Sequence, residues 1–378
     1  MWNLALEQAS CWRPGRASSP GSAERFRQLA QARKGTWLGE GSSSVQQQAL
    51  RDFDQAWKNF RSRTHSRPRW RRKGSHEGFC VRDVTVARLN RRWATIFVPK
   101  CGPVRFHLSR PLPAEYGTAR VTLDRAGRWH VSFTAGQPVV EREPTGRAAG
   151  VDMGVAHTFT VSDPAFHVGA EDGLHFHVPG LRPAEAQRKR RLERRLARQR
   201  KDSRRREKTK RSLGRLKARE ADRRKDFVEQ STTALVRAFD VICVEDLKVR
   251  QMMASAVGTA EAAGRNVAQK RGLNRSIASQ GWAMFRRRLE DKAATCGVQI
   301  VAVHPSYTSL RCAVCGHAGE ENRKSQADFS CRACGHEANA DINAACNILA
   351  AGLAVTARGG TPGSGSDETR TVPGTFAA

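Results

Sequence analysis

Two pairs of cysteines towards the C-terminal end of the chain constrain its fold more than any other feature. Two residues separate Cys312 from Cys315 and Cys331 from Cys334, and 15 residues lie between the pairs. A CxxC turn holds two thiolates at the spacing of neighbouring metal ligands, and two such turns complete a tetrahedral shell for Zn²⁺. We therefore predict one structural zinc ion on these four cysteines, with no open coordination position for catalysis.

The other six cysteines are scattered along 378 residues, which does not fit the disulfide framework of a short secreted protein. The N-terminal residues lack the positively charged start of a signal peptide. No stretch approaches the ~20 consecutive apolar residues of a spanning helix. We expect a reducing, bacterial-type cytoplasmic location associated with the nucleoid, and no membrane partner.

The charge of the chain points to a polyanionic partner. Lys and Arg total 66 against 36 Asp and Glu, a formal net charge of +30 at pH 7. Binding to nucleic acid relieves self-repulsion of this size. Residues 188–225 alone carry 21 Lys or Arg against five acids. We interpret 182–226 as two basic helices, broken near Ser203 and Gly214, and 62–75 as a basic loop, all facing nucleic acid.

Periodicity divides the chain into helical and strand-rich parts. Leu50, Phe53 and Trp57 share one helical face, which predicts a helical segment over 1–70. Three alternating stretches within 79–135 predict a small antiparallel β-domain, with a hairpin turn at 124–127.

Apolar runs further along the chain predict buried strands. The runs at 241–244 and 299–303 are typical of such strands, and 150–161 predicts two short strands around a bend. We predict a mobile loop over 251–275 and a disordered tail over 357–378.

Three acids stand at the ends of predicted elements. Asp152 lies in the strand that begins at 150, Glu245 follows the run 241–244, and Asp341 begins a short helix. Taken singly, each fits a surface acid or a helix cap. As a set they suit Mg²⁺, which prefers oxygen ligands, and two such ions ~4 Å apart can drive phosphodiester cleavage.

Several segments occur in an order that resembles a known family. They are Gly150-Val-Asp152-Met-Gly154, Val244-Glu245-Asp-Leu247, the four cysteines, and Asn339-Ala-Asp341-Ile-Asn343-Ala-Ala-Cys-Asn347. Shorter segments agree at 47–50, 72–74, 273–277, 281–282, 307–309 and 321–323. This combination resembles TnpB, the transposon-encoded RNA-guided nuclease related to type V CRISPR effectors, over residues 2–352.

The resemblance implies a multidomain α+β fold. Its parts are a helical recognition part, a wedge-like antiparallel β-barrel, an RNase H-like (RuvC) α/β domain and an inserted four-cysteine zinc ribbon. The expected ranges are 1–70 for the helical part, 71–136 for the barrel, 148–305 and 339–356 for the nuclease, 306–338 for the zinc module and 357–378 for the tail. Family members usually carry a further strand before the segment that starts here at Trp2-Asn3, so we expect the barrel to be one strand short. Cys346 stands where members often have Arg.

The resemblance also implies a function and its residues. A guide RNA pairs with one strand of double-stranded target DNA beside a short flanking motif, and one RuvC-like site cuts both strands. Asp152, Glu245 and Asp341 match the three catalytic acids. Our working hypothesis is that Asp152 and Asp341 bridge one Mg²⁺ and that Glu245 holds a second. The candidate nucleic-acid contacts are Gln47, Gln48 and Asn59 at the flanking motif, Arg69, Arg71, Arg72 and Lys73 in the basic loop, and Arg204, Arg205, Arg206, Lys208 and Lys210 in the basic helices.

Four other interpretations compete with an active transposon nuclease. They are a cleavage-deficient RNA-guided DNA-binding repressor, a type V effector that uses a CRISPR RNA, a guide-free transposase or resolvase, and a basic zinc-ribbon protein with accidental acids. The guide sequence, the flanking motif, the cut positions and the oligomeric state stay open.

Overall fold

The computed structural model describes residues 1–11, 19–74, 77–82, 84–136, 139–166, 175–258, 263–306 and 308–357. The predicted tail lies outside these residues after position 357. The described chain divides into two units. Unit 1 comprises the described residues of Met1–Gln137 and Leu192–Arg215, and unit 2 those of Pro138–Arg191 and Leu216–Arg370.

Unit 1 begins with three helices that share an apolar core. They are α1 Trp2–Ser10, α2 Ser22–Ala32 and α3 Ser43–Arg61, with a short 3₁₀ helix at Trp37–Glu40. The Ser42 hydroxyl caps α3 by accepting a hydrogen bond from the Val45 N–H at 3.4 Å. Leu50 and Phe53 are buried, as the periodicity predicts, and Trp57 stacks on Phe53.

Unit 1 continues with two antiparallel three-stranded sheets, ordered β1-β5-β6 and β2-β3-β4. The strands are β1 Gly78–Val81, β2 Val86–Arg88, β3 Trp93–Val98, β4 Gly102–His107, β5 Ala119–Leu123 and β6 Trp129–Phe133. One apolar cluster takes Ile96 and Val98 from β3 and Ala119 and Val131 from the other sheet. The three strands predicted from alternation are β4, β5 and β6.

The basic segment forms two helices, α4 Pro183–Arg198 and α5 Arg204–Ala238. The predicted break near Ser203 is present, and its hydroxyl accepts a hydrogen bond from the Arg206 N–H at 3.2 Å. The second predicted break is wrong, because Gly214 lies inside α5. Buried Leu213 and Leu216 flank it and outweigh the ~1 kcal/mol by which a glycine weakens a helix.

Unit 2 is built on a five-stranded sheet of order β11-β10-β7-β8-β9. The strands are β7 Ala148–Asp152, β8 Phe159–Val161, β9 His175–Phe176, β10 Val241–Glu245 and β11 Gln299–Val303. β10 runs parallel to both β7 and β11, while β8 and β9 are antiparallel to their neighbours. Parallel pairing brings the carboxyl ends of β7 and β10 to one edge of the sheet.

Helices cover both faces of this sheet. Ile242 and Val244 of β10 join a core with α5 and α8 Trp282–Cys296, whereas Cys243 between them packs with Ile348 of α9 Ala340–Ala357. The backbones of α9 and β7 approach closely at Gly150, where an added Cβ would lie 2.0 Å from the Ala345 carbonyl oxygen.

The predicted loop over 251–275 is partly wrong. The structure has α6 Val249–Met252 and α7 Val267–Gln280 there, with 259–262 outside the described residues. Tertiary contacts stabilise α7 despite its weak periodicity. Lys270 donates to the Met252 carbonyl at 2.7 Å and Asn274 to the Met253 carbonyl at 2.9 Å.

The last elements of unit 2 surround the cysteines. A 3₁₀ helix spans Glu320–Asn322, and β12 Asp328–Ser330 pairs antiparallel with β13 Glu337–Asn339. Within the described ranges, α9 alone has the length and apolar composition of a membrane span. That is weak evidence, because core helices meet the same criterion and α9 packs on β7 and β10.

Candidate functional site

Three acids from distant parts of the chain line one cavity of about 350 Å³. Asp152 ends β7, Glu245 ends β10, and Asp341 lies in the first turn of α9. The parallel pairing of β7 with β10 and the packing of α9 across them bring the three together. Arg323 and Gln326 line the same cavity, as does Trp282 at the start of α8.

Two of the three acids have raised pKa values. Burial raises the pKa of Asp152 to about 7, and the neighbouring carboxylates of Glu245 and Asp341 add to the rise. The Arg323 guanidinium lowers the pKa of Asp152 and so opposes part of this rise. Burial likewise raises the pKa of Glu245, which is 7% exposed. A cavity lined by several buried carboxylates favours a proton or a cation among them.

Glu245 is held by a hydrogen-bonded chain that reaches α9. The Thr308 hydroxyl donates to Glu245 Oε1 at 2.5 Å and opposes the rise in that carboxyl's pKa. Asn347 of α9 donates to the Thr308 carbonyl at 2.9 Å and to the Arg311 carbonyl at 2.6 Å. The helix that carries Asp341 therefore also fixes the group that orients Glu245.

The two carboxylate oxygens of Asp341 face different partners. Oδ2 lies 2.7 Å from His157 Nδ1, and Oδ1 lies 3.9 Å from the Arg323 guanidinium. The side chain of Asn339 accepts the Asp341 N–H at 2.9 Å and caps α9. Asp341 is thus fixed from three sides, with 14% of its side chain exposed.

The four cysteines form one cluster. Their sulfur atoms all lie within 4.8 Å of one another, with Cys312–Cys334 at 3.7 Å and Cys315–Cys331 at 3.5 Å. Tetrahedral zinc with bonds of ~2.3 Å requires sulfurs ~3.8 Å apart, so the cluster could bind that ion.

Each knuckle of the cluster closes in the same way. Gly316 and Gly335 take positive φ values of 78° and 76°, and their N–H groups donate to the Cys312 and Cys331 carbonyls at 3.0 Å. This left-handed conformation is the reason for the glycine after each CxxC pair.

The cysteine module is tied to the acid site. Asn343 of α9 donates to the Arg311 carbonyl at 2.7 Å and accepts the Ala313 N–H at 2.9 Å, which anchors the first knuckle. Asn322 is fully buried and donates to the Leu310 carbonyl at 3.0 Å. The next residue, Arg323, reaches the cavity. The module therefore positions a cationic side chain beside the acids.

The predicted contacts at the flanking motif lie on α3. Gln47 and Asn59 are half-buried, and Gln48 donates to Asp52 at 2.9 Å. Asn59 accepts a hydrogen bond from Gln55 at 2.7 Å.

The basic loop is pinned to α1 by its backbone. Trp2 Nε1 donates to the Arg69 carbonyl at 2.9 Å, and Asn3 exchanges two hydrogen bonds with the backbone of Arg71. The Arg71 guanidinium stacks 3.7 Å above the Trp2 ring. Arg69, Arg72 and Lys73 remain exposed.

The basic helices present most of their predicted contacts to solvent. Arg204, Arg205 and Lys208 are exposed, and Lys210 pairs with Glu207 at 2.6 Å. Arg206 instead donates to the carbonyls of Leu196 and Gln199 at the end of α4. It closes the turn between the helices.

Sequence reasoning gave no role to three side chains that touch the acids. Thr308 and Arg323 lie in two of the short segments, 307–309 and 321–323, that resemble the family. That resemblance is the sequence feature from which a role at the site could have been inferred. His157, between β7 and β8, offered no signal beyond its nearness to Asp152 in sequence.

Comparison with known proteins identifies similar chains over most of the sequence. Residues 130–256 match the sequence model of a family described as "Probable transposase" (OrfB_IS605), and residues 282–348 match the Cas12f1-like TNB domain. InsQ of Escherichia coli (strain K12), named as an RNA-guided DNA endonuclease, is 39% identical over 324 residues, 85% of this chain and 78% of InsQ. A protein from Streptomyces pristinaespiralis, also named as an RNA-guided DNA endonuclease, is 30% identical over 366 residues, which cover 95% of this chain and 84% of that protein. A solved Cas12f1–sgRNA–target DNA complex aligns with a TM-score of 0.46 at 13% identity, covering 92% of this chain and 82% of that one.

Proposed function

Because the chain belongs to the TnpB family, whose members include proteins named as RNA-guided DNA endonucleases, we propose that it cuts DNA under the direction of a guide RNA. The observation that carries the proposal is the convergence of Asp152, Glu245 and Asp341 on one cavity that also holds Arg323. The residues come from two strands and a helix far apart in sequence.

The donor set of this cavity fits Mg²⁺. Three carboxylates, two of them with raised pKa values, need a hard dication to stay ionised together. Asp152 and Asp341 would hold one ion and Glu245 would complete a second position. Bound there, Mg²⁺ supplies an activated water and neutralises charge on the leaving oxygen.

The chain's own side chains prepare this chemistry. The Thr308 hydroxyl donates to Glu245, which favours the ionised carboxylate against the effect of burial and fixes its orientation. Arg323 lies on the Asp341 side of the cavity, where its guanidinium would bind a phosphate oxygen of the strand to be cut. The four cysteines would hold one zinc ion, which secures the module that carries Arg323.

The proposed architecture follows from these roles. The sheet of order β11-β10-β7-β8-β9 would be the core of an RNase H-like (RuvC) domain, with the cysteine module inserted before α9. The helices and the two small sheets of unit 1 would serve as recognition part and wedge-like barrel.

The partners would be a guide RNA and double-stranded target DNA. Base pairing with the guide carries the sequence information, so the protein needs backbone contacts more than base contacts. A net charge of +30 and the exposed Arg204, Arg205 and Lys208 supply such contacts. The protein would act at the nucleoid.

The test is cleavage of a target plasmid library with a randomised flank. The protein is co-expressed with RNA transcribed downstream of its gene, beside Asp152→Asn and the matched control Asp246→Asn, an exposed acid one residue beyond Glu245. We expect cutting that needs RNA, Mg²⁺ and Asp152 but not Asp246, and that is confined to one flanking motif.

The same experiment separates the alternatives. Target binding without cutting by the unaltered protein would replace the proposal with an RNA-guided repressor. Cutting without RNA would replace it with a guide-free transposase or resolvase. Activity with an RNA from a CRISPR array, and none with the downstream RNA, would make the chain a type V effector.

A further inference from the structure

Three histidines gather near Asp341, one of them against the carboxylate oxygen that does not face Arg323. His157 lies between β7 and β8, His175 belongs to β9, and His177 follows β9. The ring centroid of His157 lies 4.1 Å from that of His175 and 4.9 Å from that of His177.

The strand geometry explains this grouping. Residues two apart in a strand point to the same face, so His175 and His177 lie opposite to Phe176. Phe176 is buried and stacks on Phe159 of β8 at 4.3 Å. Burial of that ring in the core turns the two imidazoles outward, towards His157.

The distances suit a metal ion. One ring nitrogen of His157, one of His175 and a carboxylate oxygen of Asp341 all lie within 4.8 Å of one another. His157 and Asp341 are 24% and 14% exposed, so a bound ion would be largely shielded from water. Asn339 lies 3.3 Å from His175 Nε2 and accepts the Asp341 N–H, which fixes two of the three groups relative to each other.

The donor set selects a class of ion. Two imidazoles with one carboxylate is a ligand set of Zn²⁺ and of other borderline first-row dications, whereas Mg²⁺ prefers oxygen alone. We propose that His157, His175 and Asp341 form a second zinc-class site, with His177 at its rim, distinct from the four cysteines.

This site would share Asp341 with the nuclease centre, a consequence that rests on the proposed function. Oδ2 faces the histidines and Oδ1 faces the cavity, so the two ions would lie on opposite sides of one carboxylate. Zinc bound at Oδ2 would draw the negative charge of Asp341 towards itself and leave Oδ1 a weaker ligand for Mg²⁺. Zinc in the histidine site would therefore inhibit cleavage that depends on Mg²⁺.

The direct test counts metal ions and needs no nuclease activity. The full-length protein is equilibrated with buffered Zn²⁺ and separated from unbound metal. The bound zinc per chain is then measured by inductively coupled plasma mass spectrometry. We expect two zinc ions per chain for the unaltered protein and one for His157→Ala, His175→Ala and the double variant. The control His65→Ala, an exposed histidine of unit 1, should keep two.

His175→Ala is the decisive variant, because it leaves the hydrogen bond between His157 and Asp341 in place. Equal zinc content in this variant and the unaltered protein would overturn the proposal. Circular dichroism of each variant identifies any loss of fold. If His175→Ala unfolds, His175→Gln replaces it, because Gln retains a polar side chain of similar length. We expect His175→Gln also to bind one zinc ion fewer than the unaltered protein.

The second readout is inhibition, taken as the ratio of cleavage rates with and without added Zn²⁺ at constant Mg²⁺. We expect at least a tenfold weaker inhibition of His175→Ala than of the unaltered protein. Equal inhibition of both would refute the coupling to the nuclease centre. If no RNA-guided cleavage is found at all, the proposed function fails while the zinc count still decides on the histidine site.

Discussion

Replacing Asp152 with Asn should stabilise the protein in the absence of Mg²⁺ while abolishing cleavage. Its pKa is raised from 3.8 to about 7 in the folded state, first by burial and then by Glu245 and Asp341. The folded protein therefore holds this proton more tightly than the unfolded chain. Stability is lost as the pH rises from about 4 towards 7, and the full loss is present above pH 7.

The size of the effect follows from that rise. At 1.36 kcal/mol for each pKa unit, a rise of about 3 units corresponds to a ceiling of about 4 kcal/mol in the free energy of unfolding. Asn carries no charge at any pH, so Asp152→Asn recovers this free energy. The gain should increase by about 1 kcal/mol between pH 6 and pH 8, because the folded carboxyl keeps its proton up to about pH 7 while the unfolded one is already ionised; it should level off above pH 7.

The assay is thermal unfolding followed by circular dichroism, in Mg²⁺-free buffer that leaves zinc bound, at pH 6 and pH 8. For a unit of this size, 1 kcal/mol shifts Tm by roughly 2–4 °C, so a gain of several degrees is expected at pH 8. Excess Mg²⁺ should raise the Tm of the unaltered protein more than that of the variant and narrow the gap.

Asp246→Asn provides the matched control, since Asp246 is exposed and pairs with Lys248 at 2.5 Å. It should change Tm by little at either pH. The reasoning fails if Asp152→Asn leaves Tm unchanged or lowers it without Mg²⁺, or if its gain is larger at pH 6 than at pH 8.

Three further changes test other parts of the site. Thr308→Val removes the donor to Glu245 and should lower the cleavage rate at limiting Mg²⁺ about tenfold or more, whereas Thr308→Ser should retain it; equal rates would remove Thr308 from the site. Gly150→Ala places a Cβ 2.0 Å from a carbonyl oxygen of α9 and should lower the free energy of unfolding by at least about 1–3 kcal/mol, measured by denaturant unfolding. The control Gly272→Ala has open space around the added Cβ and should leave that free energy unchanged or raise it. Cys331→Ser should lose the zinc ion of the four-cysteine cluster, measured by metal content, together with cleavage. A variant that cuts at the unaltered rate would show that the acid site does not depend on this module.

The sequence predicted the groups of the site better than their arrangement. The position of Glu245 at a strand end follows from the apolar run before it, and the cysteine cluster follows from spacing alone. Asp152 was expected within a strand and lies at the end of β7. Such local patterns predict local structure correctly because that structure depends on a few neighbouring residues. Periodicity does not predict that β7 pairs with β10. The 88 residues between Asp152, the last residue of β7, and Val241, the first residue of β10, are far more than a local pattern spans.

The errors have physical causes. Helix α7 was missed because its Ala, Gly and polar residues give no periodic face, and tertiary hydrogen bonds from Lys270 and Asn274 compensate. Arg323 and His157 reach Asp341 from separate loops, and no pattern within either loop reports that contact. The ranges proposed for the domains, the roles of the site residues and the nucleic-acid contacts remain predictions.

The order in which the sheet is built has a consequence during synthesis. The ribosome makes β7 early, but its parallel neighbour β10 and the helix α9 follow much later, and α9 supplies the last acid at position 341. Pairing over such long separations is slow, because loop closure must precede the contacts that stabilise it. A nascent or truncated chain that ends before α9 lacks Asp341 and Asn347 together. If the chain cuts DNA as proposed, such unfinished copies would lack one of the three acids of the cavity and would not cut.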